Sequence, residues 1–164
     1  MVAASASAHD LGVSRSELVE SQNGSIHARF TFAAREVAGA FDRDGHVSAV
    51  VKTDGASCAP GPATSTPDGD GVIVDEDFAC ARATASIEAT LFFVTELGGT
   101  HEDVARIQTR ETSHEELLRA PHRTILLELH RKKAEAPHRS WMIGVAIAAV
   151  ALIALVIRSR MKKE

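Results

Sequence analysis

The sequence predicts a mainly β fold, an antiparallel sandwich or open barrel with one short helix, followed by a single C-terminal transmembrane helix. Three observations carry this expectation. Between residues 13 and 129, short runs of apolar and polar residues are separated by turn signals. Two of these runs flank Asn23-Gly24, the strongest short hairpin signal because both residues tolerate positive φ. Finally, WMIGVAIAAVALIALVI, residues 141–157, is a run of 17 residues without a charge.

Taken in order, residues 13–21 and 25–33 form the hairpin arms. In the second arm, Ile26, Ala28, Phe30 and Phe32 share one face, and Ser25, His27, Arg29 and Thr31 share the other. This alternation is that of a half-buried strand. Ala33, Val37 and Phe41 then recur at helical spacing and predict a short helix or helical turn over 33–41. Val47 to Lys52 reads as a strand, and 55–71, rich in Gly, Pro, Ser and Asp, reads as a long loop. Further strands are expected at 71–78 and 85–96, the second carrying Ile87, Leu91, Phe92, Phe93 and Val94. Residues 103–109 and 123–129 complete the sheet. Between them, Ser113-His114-Glu115-Glu116 fits a helix capping box before Leu117 and Leu118, with Pro121 as a stop. That segment is short enough to be strand or turn instead.

Charge divides the chain. Residues 1–130 hold 10 Lys/Arg against 20 Asp/Glu, a balance of -10, whereas residues 131–164 hold 8 against 2, a balance of +6. The cations therefore gather beside the apolar run, where anionic lipid headgroups explain them, and not on the large domain as nucleic-acid binding would require. Seventeen helical residues rise about 26 Å, slightly under a hydrocarbon core of roughly 30 Å. Trp141 can sit at one membrane interface while Arg139 and Arg158 extend their charges outward. Four basic residues precede the span (Arg131, Lys132, Lys133, Arg139) and four follow (Arg158, Arg160, Lys162, Lys163), so charge alone does not orient it.

The start, MVAASASAHD, has neither a positive n-region nor an apolar stretch, yet Ala-Ser-Ala occurs at 4–6 and 6–8. It reads as the end of a signal peptide whose front is missing and whose domain is exported, or as the disordered start of a tail-anchored cytosolic domain. Cys58 and Cys80 bear on this choice. In an exported domain they would pair and contribute roughly 3 kcal/mol by closing the intervening loop; in a cytosolic one they would be buried thiols. Their spacing excludes a Cys-x-x-Cys redox site, and they fall short of a zinc set.

Other chemical signals are sparse. Asp42-Arg43-Asp44-Gly45-His46 resembles part of a calcium loop, but aligning Gly45 places Ala40 and Val51 where two acidic ligands belong, so the segment reads as a turn. The eight His residues are scattered at 9, 27, 46, 101, 114, 122, 130 and 138. No nucleophile elbow or phosphate loop is present, and the run Asp75-Glu76-Asp77 reads as a solvated strand edge. The expectation is a non-enzyme with no catalytic, cofactor or metal residue assigned.

The order of several segments resembles the N-terminal extracytoplasmic domain of HupE/UreJ-type bacterial membrane proteins. The similar pieces are ASAHDLGVSRSELVE, SIHARFTFAAREVA, FDRDGHVS, VVKTDGASC, the later Cys80, and LFFVTELGGTHEDVARI with His101. They cover about residues 6–130. The resemblance implies an exported, β-rich domain with a Cys58–Cys80 bridge. Members continue into several membrane helices, associated with nickel or cobalt transport in the best-known cases. Here a single apolar span follows, with no ionisable residue inside it to build an ion pathway.

The resulting reading divides the chain into a signal remnant or disordered start (1–8), an exported β-rich domain (9–130), a basic linker (131–140), a transmembrane helix (141–157) and a basic cytoplasmic tail (158–164). The protein would sit in the cell membrane as a single-pass binding or assembly module with its large domain outside. Its partners would be the lipid bilayer through 141–157 and another membrane protein, not nucleic acid. The rival reading is an accessory protein handling nickel, cobalt or copper at the cell surface.

Overall fold

A computed structural model describes residues 12–129. The expected membrane helix at 141–157, its interface residues Trp141, Arg139 and Arg158, the linker, the tail and the 1–8 segment lie outside the described residues. Among the described residues, no helix is long and apolar enough to cross a membrane.

Over the described residues the fold is mainly β, with two sheets and one short α-helix. β1 (Val13–Glu20) and β2 (Ile26–Ala33) form the expected antiparallel hairpin, with Arg15 opposite Thr31 and Val19 opposite His27. Asn23 Oδ1 accepts hydrogen bonds from the Ser25 backbone N–H (3.2 Å) and Oγ (2.8 Å). Gly24 has φ +92°, and a Cβ there would lie 2.7 Å from the Arg82 backbone, so conformation and space both demand glycine. Ile26, Ala28, Phe30 and Phe32 are all fully buried, as their alternation predicts.

β3 (Ala49–Thr53) pairs with β4 (Ala56–Ser57) through the Asp54-Gly55 turn, where both residues have positive φ. β5 (Ala59–Pro60) and β6 (Thr64–Asp68) lie along one side of β7 (Gly71–Ala79), and β2 pairs with the other. The expected 55–71 loop is thus largely edge strand. Its side chains are nearly all exposed and show no apolar alternation, so only the backbone ladder reveals it.

β8 (Ser86–Leu91) ends earlier than expected, and residues Phe93–Glu96 form helix α1. Phe93 and Val94 are both fully buried. A strand would send these adjacent residues to opposite faces, whereas a helical turn directs both into the core. The helix expected over 33–41 shrinks to a 3₁₀ turn at Val37–Ala40. β9 (Glu102–Gln108) and β10 (Ser113–Arg119) form a hairpin, so the capping-box pattern at 113–116 lies on a strand. β11 (Thr124–Glu128) closes the described chain.

One sheet has seven strands, in the order β10-β9-β1-β2-β7 with β5 and β6 both on the far side of β7. The other has the order β11-β8-β3-β4. The pairing is not uniformly antiparallel: β1 runs parallel to β9, with Ser14 opposite Asp103. The chain leaves β2, builds the second sheet, and returns to the open side of β1 in the same direction. Both sheets contribute to one buried core, at whose centre Phe93 meets Phe30 (ring centroids 5.9 Å) and Phe32 (5.1 Å) edge to face.

Cys58 and Cys80 form a disulfide with Cα atoms 4.6 Å apart. Cys58 lies where the chain passes from β4 to β5, and Cys80 where it leaves β7 toward β8. The bridge therefore fastens together the two passages between sheets that bracket β5, β6 and β7.

Candidate functional site

The parallel β1–β9 pairing brings together a polar group inside the core. Ser14, His101 and Asp103 are at most 1% exposed. Ser14 Oγ donates to Asp103 Oδ1 at 2.5 Å and lies 2.9 Å from His101 Nε2. The single hydroxyl proton is committed to the carboxylate, so Oγ accepts from Nε2–H and the neutral ring leaves Nδ1 unprotonated. That Nδ1 is buried without a hydrogen-bond partner, as is Glu36 Oε2, and Ser16 Oγ lies beside the Asp103 carboxyl as a second hydroxyl that favours its charged form. Burial pushes the Asp103 carboxyl up to about 6, against the opposing hydrogen bond from Ser14. Burial lowers His101, outweighing the negative charge of Glu36, which favours protonation. Glu36 Oε1 accepts the Gly12 N–H at 3.0 Å and ties the start of β1 to the same group.

These are the residue types of a hydrolytic triad in a different arrangement. In a triad the imidazole takes the serine proton and the carboxylate orients the imidazole. Here the serine lies between the other two and gives its proton to the carboxylate, while His101 Nδ1 makes no hydrogen bond to a carboxylate. With all three side chains enclosed, Oγ is closed to a substrate carbonyl. The arrangement pins strands β1 and β9 together and stores two shifted ionisable groups.

A second partly buried pair lies opposite the β5–β6 edge. Three residues lie between Pro60 and Thr64 where two lie between Asp75 and Phe78, so the edge carries a one-residue bulge. Beside it His46 Nδ1 lies 2.8 Å from Glu76 Oε1 and 3.0 Å from the Gly61 carbonyl, and Glu76 Oε2 accepts the Val47 N–H at 3.0 Å. The Glu76 side chain is completely enclosed. The expected solvated run Asp75-Glu76-Asp77 is therefore split by strand alternation, with its middle carboxylate turned inward. Burial raises Glu76, while the hydrogen bond to its carboxylate raises His46. Asp42 Oδ1 accepts the backbone N–H groups of Asp44 (2.9 Å) and His46 (3.0 Å), the turn role expected for the calcium-like segment.

The solvent face of the larger sheet carries a row of alternating charge, Glu115, Arg106, Glu17, Arg29 and Asp75, set by register across five strands. Arg29 Nε and Nη2 grip Asp75 at 2.8 and 3.2 Å, and His27 Nδ1 lies 2.8 Å from Asp77. The Arg29 guanidinium and its hydrogen bond hold Asp75 low. At the β3–β4 turn, Asp54 accepts from Thr84 Oγ1 and from the backbone N–H groups of Thr84, Ala85 and Ser86, which hold its carboxyl far below the usual range.

Among the described residues, no group of three or more His, Cys, Asp or Glu converges to hold a metal ion. Of the residues singled out in the sequence, the structure brings together Cys58 with Cys80, His46 with Glu76, and His27 with Asp77. The Ser14–His101–Asp103 group was missed, although Ser14 and Ser16 occupy the face of β1 on which Leu18 is buried. Polar residues on a core-facing strand face were the available signal. No protein-family model matches the sequence, and comparison with curated proteins finds no match.

Proposed function

We propose that the chain is a single-pass membrane-anchored protein whose β domain is exported and acts as a binding or assembly module, with residues 141–157 as the transmembrane helix. The observation that carries this reading is the Cys58–Cys80 disulfide, because such bonds persist in oxidising compartments and are rare in the cytosol. The charge pattern agrees: an acidic domain is followed by an apolar run with basic flanks. The resemblance to the extracytoplasmic domain of HupE/UreJ-type proteins points the same way, with the two sheets read as an opened sandwich. Binding is favoured over chemistry because the Ser14–His101–Asp103 group is enclosed while the charged sheet face and the sheet edges are exposed.

Labelling intact cells with a membrane-impermeant maleimide tests the topology. Cys58 and Cys80 should resist labelling until a reductant is added and should then react without lysis. Free thiols that react only after lysis would place the domain in the cytosol and overturn the reading.

A further inference from the structure

The two edges of the seven-stranded sheet are treated differently. Along β5 and β6, the outer edge carries Pro60, Pro62, Pro67 and the bulge, devices that deny a neighbouring strand a regular ladder. β10, at the opposite edge, has seven residues, no proline and no bulge.

The phase of β10 follows from its turn. Thr109 N donates to Thr112 O at 2.8 Å. Antiparallel ladders alternate bonded and non-bonded pairs, so His114, Glu116 and Leu118 bond to β9, while Ser113, Glu115 and Leu117 direct their backbone groups outward. Arg119, in the outward phase, donates its N–H to His122 O at 2.8 Å, which closes that end. Among the described residues, no strand pairs with the outward edge. Leu117, at 49%, is the most exposed large hydrophobic residue described.

A second copy is disfavoured in the two antiparallel registers that set Leu117 against Ser113 or Glu115. An antiparallel self-pairing that uses all three outward residues sets Glu115 against Glu115. The register that pairs Glu115 with Leu117 sets Glu116 against Glu116. Like charges directly opposite destabilise a pair. Glu116 is already paired with His114 and His122, whereas Glu115, 3.8 Å from Arg15, keeps a 53% exposed side chain that favours a strand carrying a cation.

We infer that the outward edge of β10 is a docking strand for an extended segment of a partner protein, with a basic residue opposite Glu115 and an apolar residue opposite Leu117. Backbone groups of Ser113, Glu115 and Leu117 supply the ladder, and the two side chains select the sequence, as in strand addition generally. This inference rests on the binding-module reading and names its surface. Its failure would leave the exported, bridged domain in place, because thiol labelling tests that separately.

The probe is the peptide acetyl-Thr-Val-Thr-Lys-Thr-Val-Thr-amide, symmetric so that either strand direction presents the same pattern, added to the full chain in detergent. Amide exchange should slow at least tenfold at Ser113, Glu115 and Leu117, and replacing the central lysine by glutamate should weaken binding at least tenfold. Glu115→Gln should abolish the preference between the two peptides without setting a like charge against Arg106 or Arg15. If that variant is unstable, Leu117→Thr provides a second test and should weaken the lysine peptide alone. Equal binding of both peptides, no protection at these amides, or protection instead at Thr124, Leu126 and Glu128 of β11 would overturn the inference.

Discussion

Ser14 Oγ donates a 2.5 Å hydrogen bond to Asp103 Oδ1 across the parallel pairing of β1 and β9, joining residues separated by 89 positions. Burial of the Asp103 carboxyl, which this bond opposes, sets the pH response of the core. The folded state holds the Asp103 proton up to about 6, against an ordinary value of 3.8. The resulting stability is fully present below the unfolded value and is lost as pH rises through about 6. A shift of this size corresponds to about 3 kcal/mol. Asp103→Asn, which cannot ionise, should therefore gain about 3 kcal/mol on the wild type between pH 4 and pH 7.5, measured by urea unfolding at several pH values. Parallel stability curves for the two proteins would falsify the assignment. His101 acts in the opposite sense, since its contribution is present above its ordinary 6.5 and falls away as pH drops through its lowered folded value.

Replacing both Cys58 and Cys80 by serine should lower unfolding free energy by roughly 3 kcal/mol, because the bridge closes a loop with a sequence separation of 22. The urea midpoint of the double variant, compared with oxidised wild type, measures this. A change under about 1 kcal/mol would mean that the β5–β7 region is held without the bond.

Gly24→Ala should destabilise by about 2 kcal/mol, since it combines a side chain at φ +92° with a contact 2.7 Å from the Arg82 backbone. Gly45→Ala, also at positive φ but with open space around it, should cost less. Thermal unfolding of the two variants separates crowding from backbone strain.

Phe93→Ala should cost about 3–5 kcal/mol, because its fully buried ring meets Phe30, Phe32 and His101. Phe92→Ala should cost much less, losing chiefly the stacking of Arg123 at 4.5 Å. Denaturant titrations of both variants will show whether α1 directs the two adjacent rings as described.

Substituting Glu115 and Glu116 together by threonine should convert the β10 edge into a self-pairing strand and raise the dimer fraction in sedimentation velocity. A variant that stays monomeric would show that these carboxylates do not guard the edge.

Much of this architecture can be read from the residues. The β1–β2 hairpin, the buried face of β2 and strands β7, β9 and β11 follow from alternation and from Asn23-Gly24, because local pattern and tertiary burial agree there. Asp54-Gly55 carries a comparable hairpin signal for β3 and β4. The Leu91–Val94 run misleads because an unbroken apolar stretch has no period. The Ser113–Glu116 pattern misleads because β9 offers it a ladder that a capping rule cannot see. β5 and β6 leave little trace in their side chains, being backbone additions at an exposed edge. The Ser14–His101–Asp103 group depends on a parallel pairing between distant strands, which no local signal encodes.

That pairing also constrains the order in which the fold can be completed. Of the described strands β1 is made first, yet its second neighbour is supplied by residues 102–108. Until those residues emerge, Ser14 lacks both of its partners and the larger sheet ends at an unsatisfied strand. Contacts so distant in sequence form slowly. On the proposed exported reading, this delay suits a chain that must cross a bilayer unfolded: its two earliest strands cannot complete the larger sheet while its later half is still on the other side.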